Sequence, residues 1–265
     1  MAETLAKHAQ GTFCWPEVGS PDPEASKKFY GELFGWTFTD TPLPPEAGGG
    51  SYTIFKLNGK DVAAMYRLGE EMKKQGIPPN WGAYVAAESA DDAAKKCVAL
   101  GGQVIMEPME VMEHGRMAVL QDPAGAHFSV WQARTHAGAG VLDETGALAW
   151  TELMTGDTAK AKAFYTALLG WSAEDMPMGP ETYTVFKRAD GKSAAGMMAI
   201  PPMMKNVPPH WTSYFQVADL RASLAKAQSL GAKTVVDATP VPNVGEFAVL
   251  EDPHGATFAL LQPQF

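Results

Sequence analysis

The chain has 265 residues, a formal net charge of −9 and 46% apolar residues, enough to fill more than one ordinary core. An acidic balance without any Lys/Arg-rich run argues against a reader of nucleic-acid backbone, which needs a positive footprint. The first ten residues lack the apolar centre of a signal peptide, and no stretch approaches the ~20 apolar residues of a membrane helix, so a soluble cytoplasmic protein without a membrane partner is expected.

In chain order, Thr12 to Val18 alternates as a strand. Asp22 followed by Pro23 is an N-cap with proline at the first helical position. Ala25, Phe29 and Leu33 then recur at helical spacing until Gly35 stops the helix. Extended segments follow at Trp36 to Asp40, Ser51 to Leu57 and Asp61 to Leu68. Gly48-Gly49-Gly50 joins two of them without a following helix, so it reads as a mobile hairpin tip at a cavity mouth and not as a phosphate loop. A second unit opens with a strand at Trp81 to Ala87 and a helix at about Ser89 to Leu100. It closes with strands near Gln103 to Val111, Arg116 to Leu120 and His127 to Gln132. Asp122-Pro123-Ala124-Gly125 has the chemistry of the last hairpin turn.

The second half repeats the first. Moving the sequence by 135 places lays Trp150 and Glu152 over Trp15 and Glu17, Asp157 over Asp22, Phe164-Tyr165 over Phe29-Tyr30 and Gly170-Trp171 over Gly35-Trp36. With small gaps, Tyr183-Thr184-Val185-Phe186-Lys187 matches Tyr52-Thr53-Ile54-Phe55-Lys56, and Asp252-Pro253-His254-Gly255 matches the turn at Asp122. So long a period means a duplicated domain and not a solenoid repeat. The expected division is a domain at 8–132, a linker at 133–145 rich in Gly, Ala and Thr, and a domain at 146–265.

These motifs, in this order and twice over, resemble the vicinal oxygen chelate superfamily of glyoxalases, bleomycin-resistance proteins and extradiol dioxygenases. They look closest to its two-domain glyoxalase-like or hydroxylase-like members. The resemblance implies an α+β fold of four βαβββ units in two tandem domains, with cupped mixed β-sheets and helices outside. It also implies a divalent metal held by His, Gln or Glu. The inherited ligand positions fall on Trp15 and Trp150, on Met65 and Met197, on Ala83 and Ser213, and on Ser129 and Ala259. None is an imidazole or carboxylate, so no metal and no cofactor is expected. The six histidines offer no substitute by spacing: His8, His114, His136, His210 and His254 read as solvated loop residues. His127 shares a strand face with Ser129 and points toward a cavity.

Period-two geometry gives the expected lining. If cavities form across the two halves, as in swapped members of the family, one collects Trp15, Glu17, Met65, Ser213, Phe215, Thr257 and Ala259. The other collects Trp150, Glu152, Met197, Ala83, Val85, His127, Ser129 and Trp131. Both suit a flat apolar ligand with a few orienting groups. Glu17 and Glu152 either act on a ligand, as base or hydrogen-bond partner, or bond backbone amides at a structural joint. Arg116 either binds an anion or is a strand-end charge. Tyr30, Tyr165, Trp36, Trp81, Trp171 and Trp211 read as core. Cys14 and Cys97 form neither a disulfide framework nor a zinc pattern.

Three functions follow: a binding protein for a small apolar or aromatic metabolite or antibiotic; a metal-independent isomerase, lyase or hydroxylase-like enzyme using Glu152 with His127; and a metal-dependent glyoxalase or dioxygenase. A small molecule is the expected partner. A fused duplicate is expected to be monomeric, since it can satisfy internally the interface of a dimer, with a homodimer left open.

Overall fold

A computed structural model describes residues 7–44, 49–179, 181–204 and 206–264. The first half runs β1 (Phe13–Ser20), α1 (Pro23–Phe34), β2 (Thr37–Pro42), β3 (Ser51–Leu57), β4 (Lys60–Arg67), α2 (Glu70–Lys74), β5 (Asn80–Ala86), α3 (Ala90–Ala99), β6 (Gln103–Val111), β7 (Gly115–Gln121) and β8 (His127–Ala133). The second runs β9 (Leu148–Thr155), α4 (Thr158–Leu169), β10 (Ser172–Met178), β11 (Glu181–Lys187), β12 (Ser193–Ala199), β13 (His210–Gln216), α5 (Leu220–Ser229), β14 (Lys233–Val241), β15 (Gly245–Glu251) and β16 (Thr257–Pro263). The short α2 and a 3-10 turn at Pro202–Met204 are additions to the sequence reading. Gly48 lies outside the described residues.

The caps follow the chemistry read from the sequence. Asp22 accepts from the Ala25 amide and Asp157 from the Lys160 amide, each satisfying an orphan donor of the first turn. Gly35 and Gly170 end these helices at φ 72° and 70°, a left-handed conformation that a side chain resists.

The strands form two eight-stranded mixed sheets, in the orders β2-β3-β4-β1-β5-β8-β7-β6 and β10-β11-β12-β9-β13-β16-β15-β14. Each sheet is drawn from one half of the chain. The expected combination across the halves lies in packing and not in strand pairing: β2–β4 group with β14–β16, and β6–β8 with β10–β12.

Packing groups the residues differently, into two compact units. One takes the chain up to Cys14, Ala83–Gly138 and Trp150–Thr212; the other takes Trp15–Gly82, Ala139–Ala149 and the chain from Ser213 onward. Inside the first, the Tyr165 phenol donates to Asp122 Oδ2 at 3.0 Å and accepts from Trp211 Nε1 at 2.9 Å. Asp122 Oδ1 meanwhile accepts from the amides of Ala124, Gly125 and Ala126. Phe128 rests edge-on against Phe164 and Tyr165. Inside the second, Tyr30 donates to Asp252 at 2.7 Å and accepts from Trp81 at 2.8 Å, and Phe215 packs on Phe34, Trp36 and Trp81. Each turn aspartate, 1–2% exposed, thus has its charge met by donors. Such a buried carboxylate is tolerable only when so paired.

Tyr30 and Tyr165 are core residues, as expected, but also hydrogen-bonding ones. The four tryptophans Trp36, Trp81, Trp171 and Trp211 are buried with every indole N–H partnered.

Candidate functional site

Residues paired across strands share a face of the sheet. The parallel pairing of β1 with β4 sets Glu17 against Ala64, Val18 against Met65 and Gly19 against Tyr66. In β3, Ile54 pairs with Ala64 and Thr53 with Met65. Trp15, Glu17, Gly19, Tyr52, Ile54, Ala64 and Tyr66 therefore lie on one face. Val18, Thr53 and Met65 lie on the opposite one, at most 1% exposed. The second half repeats this arrangement, with Glu152 against Gly196, Leu153 against Met197 and Met154 against Met198. Met65 and Met197, expected beside the glutamates, are core residues of the other face: the fourth-strand positions beside the glutamates lie one residue away, and a one-residue slip reverses the face.

The same correction applies on the remaining strands. Tyr84 pairs with Ser129, and Val85 with Val130; Tyr214 pairs with Ala259, and Phe215 with Leu260. Ser129 and Trp131 thus share a face with Tyr84, while Thr257 and Ala259 share one with Tyr214. Ala83 and Val85, and likewise Ser213 and Phe215, face the other way and are buried.

The face of β1–β4 carries a hydrogen-bonded chain. Trp15 Nε1 donates to the Tyr52 hydroxyl at 3.2 Å, which donates to Glu17 Oε1 at 2.6 Å. On β9–β12, Trp150 Nε1 donates to Tyr183 at 2.9 Å, and Tyr183 donates to Glu152 Oε2 at 2.8 Å. Sequence alignment had matched Tyr52 with Tyr183 without assigning either a role. Burial first, and then the adjacent glutamate, holds both phenols well above the usual tyrosine range. They remain donors, which fixes each glutamate as acceptor in this bond.

His127 does not join Glu152. Its ring nitrogen bonds Gln121 at 3.2 Å, burial lowers its pKa, and the carboxylate opposing that shift is Asp122. Arg116 makes a forked pair with Asp91 at 2.7 and 2.9 Å and reaches Glu110, so its charge is met by two surface carboxylates. Two histidines depart from the solvated reading: His136 packs its ring against Trp131 and His114, and His254 has a buried Nε2. Burial pushes the thiol of Cys14 up to about 12 and that of Cys97 up to about 11, away from nucleophilic reactivity. Trp131 borders a cleft of about 230 Å³ with Lys7, His8, Gln10, Glu88 and Gln132, which is small for a cofactor.

Residues 12–130 and 147–260 match the model of the Glyoxalase/Bleomycin resistance protein/Dioxygenase superfamily. The chain belongs to that superfamily. "Putative glyoxylase CFP32" of Mycobacterium tuberculosis is 40% identical over 259 residues, 97% of each chain. "Anthracycline biosynthesis protein DnrV" of Streptomyces peucetius is 37% identical over 268 residues, covering 97% of this chain and 95% of that one. Among solved structures, the Mn(II)-bound glyoxalase of Novosphingobium aromaticivorans aligns with TM-score 0.65 at 16% identity, over 96% of this chain and 82% of its own. The 2,2',3-trihydroxybiphenyl 1,2-dioxygenase of Sphingomonas wittichii aligns with TM-score 0.65 at 12% identity, over 96% and 91%. These two likenesses establish the fold alone.

A divalent metal of the kind the superfamily's enzymes hold does not fit this donor set. Among the described residues, no three His, Cys, Asp or Glu side chains gather where they would hold an ion. On each Trp–Tyr–Glu face, the carboxylate is bonded by a phenol that stays protonated.

Proposed function

We propose that the protein binds a flat aromatic ligand bearing polar substituents, on the Trp–Tyr–Glu face. The observation that carries this reading is the hydrogen-bonded chain itself, which recurs in both halves on a face of half-buried apolar and aromatic side chains. A ligand ring would lie on that apolar surface, and its hydroxyl would reach the ordered Glu–Tyr pair. The name of the Streptomyces peucetius relative supports the ligand class, since anthracyclines are polycyclic aromatic compounds with phenolic oxygens.

The alternative acid–base enzyme built on Glu152 and His127 has less support, since His127 Nε2 bonds Gln121 and Glu152 Oε2 accepts from Tyr183. Against a metal-dependent glyoxalase or dioxygenase stands the lack of convergent ligands among the described residues. Titration with 1,4-dihydroxyanthraquinone-2-sulfonate, a flat soluble phenol, followed by tryptophan fluorescence with and without a chelator, tests the proposal. Saturable quenching that is indifferent to chelator supports it. No saturable binding, or binding abolished by chelator and restored by Mn(II), refutes it.

A further inference from the structure

Around the repeated chain the two halves differ at paired positions. On β1–β4 the positions next to the glutamate hold Gly19 and Tyr66; on β9–β12 they hold Met154 and Met198. The substitution is concerted. A Cβ on Gly19 would stand 2.6 Å from the Tyr66 hydroxyl, so Tyr66 lies across the strand where Gly19 leaves room. On the outer strand, Thr41 pairs with Tyr52 whereas Met176 pairs with Tyr183. Met176 is 49% exposed.

The first half therefore covers the flank of its Glu17 with its own tyrosine ring. The second surrounds Glu152 and Tyr183 with three thioethers, which are unbranched, polarisable and favourable against an aromatic edge. Gly196 enlarges the contrast. A Cβ there would collide with the Tyr183 hydroxyl and come within 2.8 Å of Trp150 Nε1, so Tyr183 lies close on β12.

We infer that the two faces are unequal: the face of β9–β12 is the aromatic-ligand site, with Met154, Met176 and Met198 as its specificity-determining wall, and the face of β1–β4 is self-filled by Tyr66. This rests on the aromatic-ligand reading above and adds which half acts and by which residues. Glu17 with Tyr52 is then the structural copy of the chain that Glu152 and Tyr183 use.

The test is calorimetric titration of the full chain with 1,4-dihydroxyanthraquinone-2-sulfonate. Wild type takes one equivalent. The double change Met154→Gly with Met198→Tyr, which installs the first-half pair, weakens binding at least tenfold. The reciprocal Gly19→Met with Tyr66→Met adds a second equivalent, an outcome that a misfolded variant cannot produce. Two equivalents in wild type, or an affinity unmoved by the first exchange, overturns the inference while leaving the aromatic-ligand reading standing. Absence of any binding by wild type overturns both.

Discussion

The hydroxyl of Tyr183 occupies the space that a Cβ at Gly196 would need, whereas the residue in the matching register of the other half is Ala64. The glycine is a requirement of how closely Tyr183 lies on its strand. Gly196→Ala is expected to displace the phenol, break its bond from Trp150 and destabilise the fold by about 1–3 kcal/mol, the usual range for overpacking. Denaturant unfolding reads the loss, and a shift in tryptophan emission reports the broken bond. An unchanged midpoint and spectrum would mean that the tyrosine has somewhere else to go.

Removing one phenol takes the shared partner from a part-buried indole and from a carboxylate oxygen. Tyr183→Phe is expected to cost about 1–3 kcal/mol, and Glu152→Gln less, because the amide oxygen still accepts the phenol's proton. A double-mutant cycle on the pair should give a coupling above about 0.5 kcal/mol. Strict additivity would show that the 2.8 Å contact contributes nothing.

The turn aspartates carry more. Asp122→Ala strands three backbone amides and the Tyr165 phenol at once. It should therefore destabilise by about 3 kcal/mol or more, against about 1–3 kcal/mol for Tyr165→Phe, which takes a partner from the Trp211 indole and from one carboxylate oxygen but leaves the turn intact. Equal effects in thermal unfolding would contradict this ranking.

Much of this was legible in the sequence, and the failures have definite causes. Capping aspartates, stop glycines and turn aspartates act locally, so Asp22, Gly35 and Asp122 could be placed before any fold was known. The duplicated Trp and Glu placed one side of the site. Met65, Met197, Ser213 and Phe215 went to the wrong face because alternation amplifies an error of one residue into a reversal. Tyr52 and Tyr183 were aligned but unused, since hydrogen bonds spanning more than 30 residues leave no local pattern. The bond from Tyr165 to Asp122 is invisible for the same reason.

Alkaline titration gives a test with a determined sign. Burial, followed by a neighbouring carboxylate, raises Tyr30, Tyr52, Tyr165 and Tyr183. Above about pH 10 the unfolded chain loses these protons while the folded chain keeps them. The folded state then binds more protons, and its stability falls as pH rises further. Urea midpoints should be insensitive to these groups below about pH 9 and decline above pH 10; a rise there would contradict the buried, donating phenols.

On the proposed reading a flat aromatic ring lies on the face of Trp150, Tyr183 and Glu152. A crystal structure of the chain with 1,4-dihydroxyanthraquinone-2-sulfonate measures this directly. The ring is expected against Met154, Met176 and Met198, with a phenolic oxygen within hydrogen-bond distance of Glu152 or Tyr183. A probe seated instead in the cleft beside Lys7 and Trp131, or a metal ion coordinated by Glu152, would contradict it.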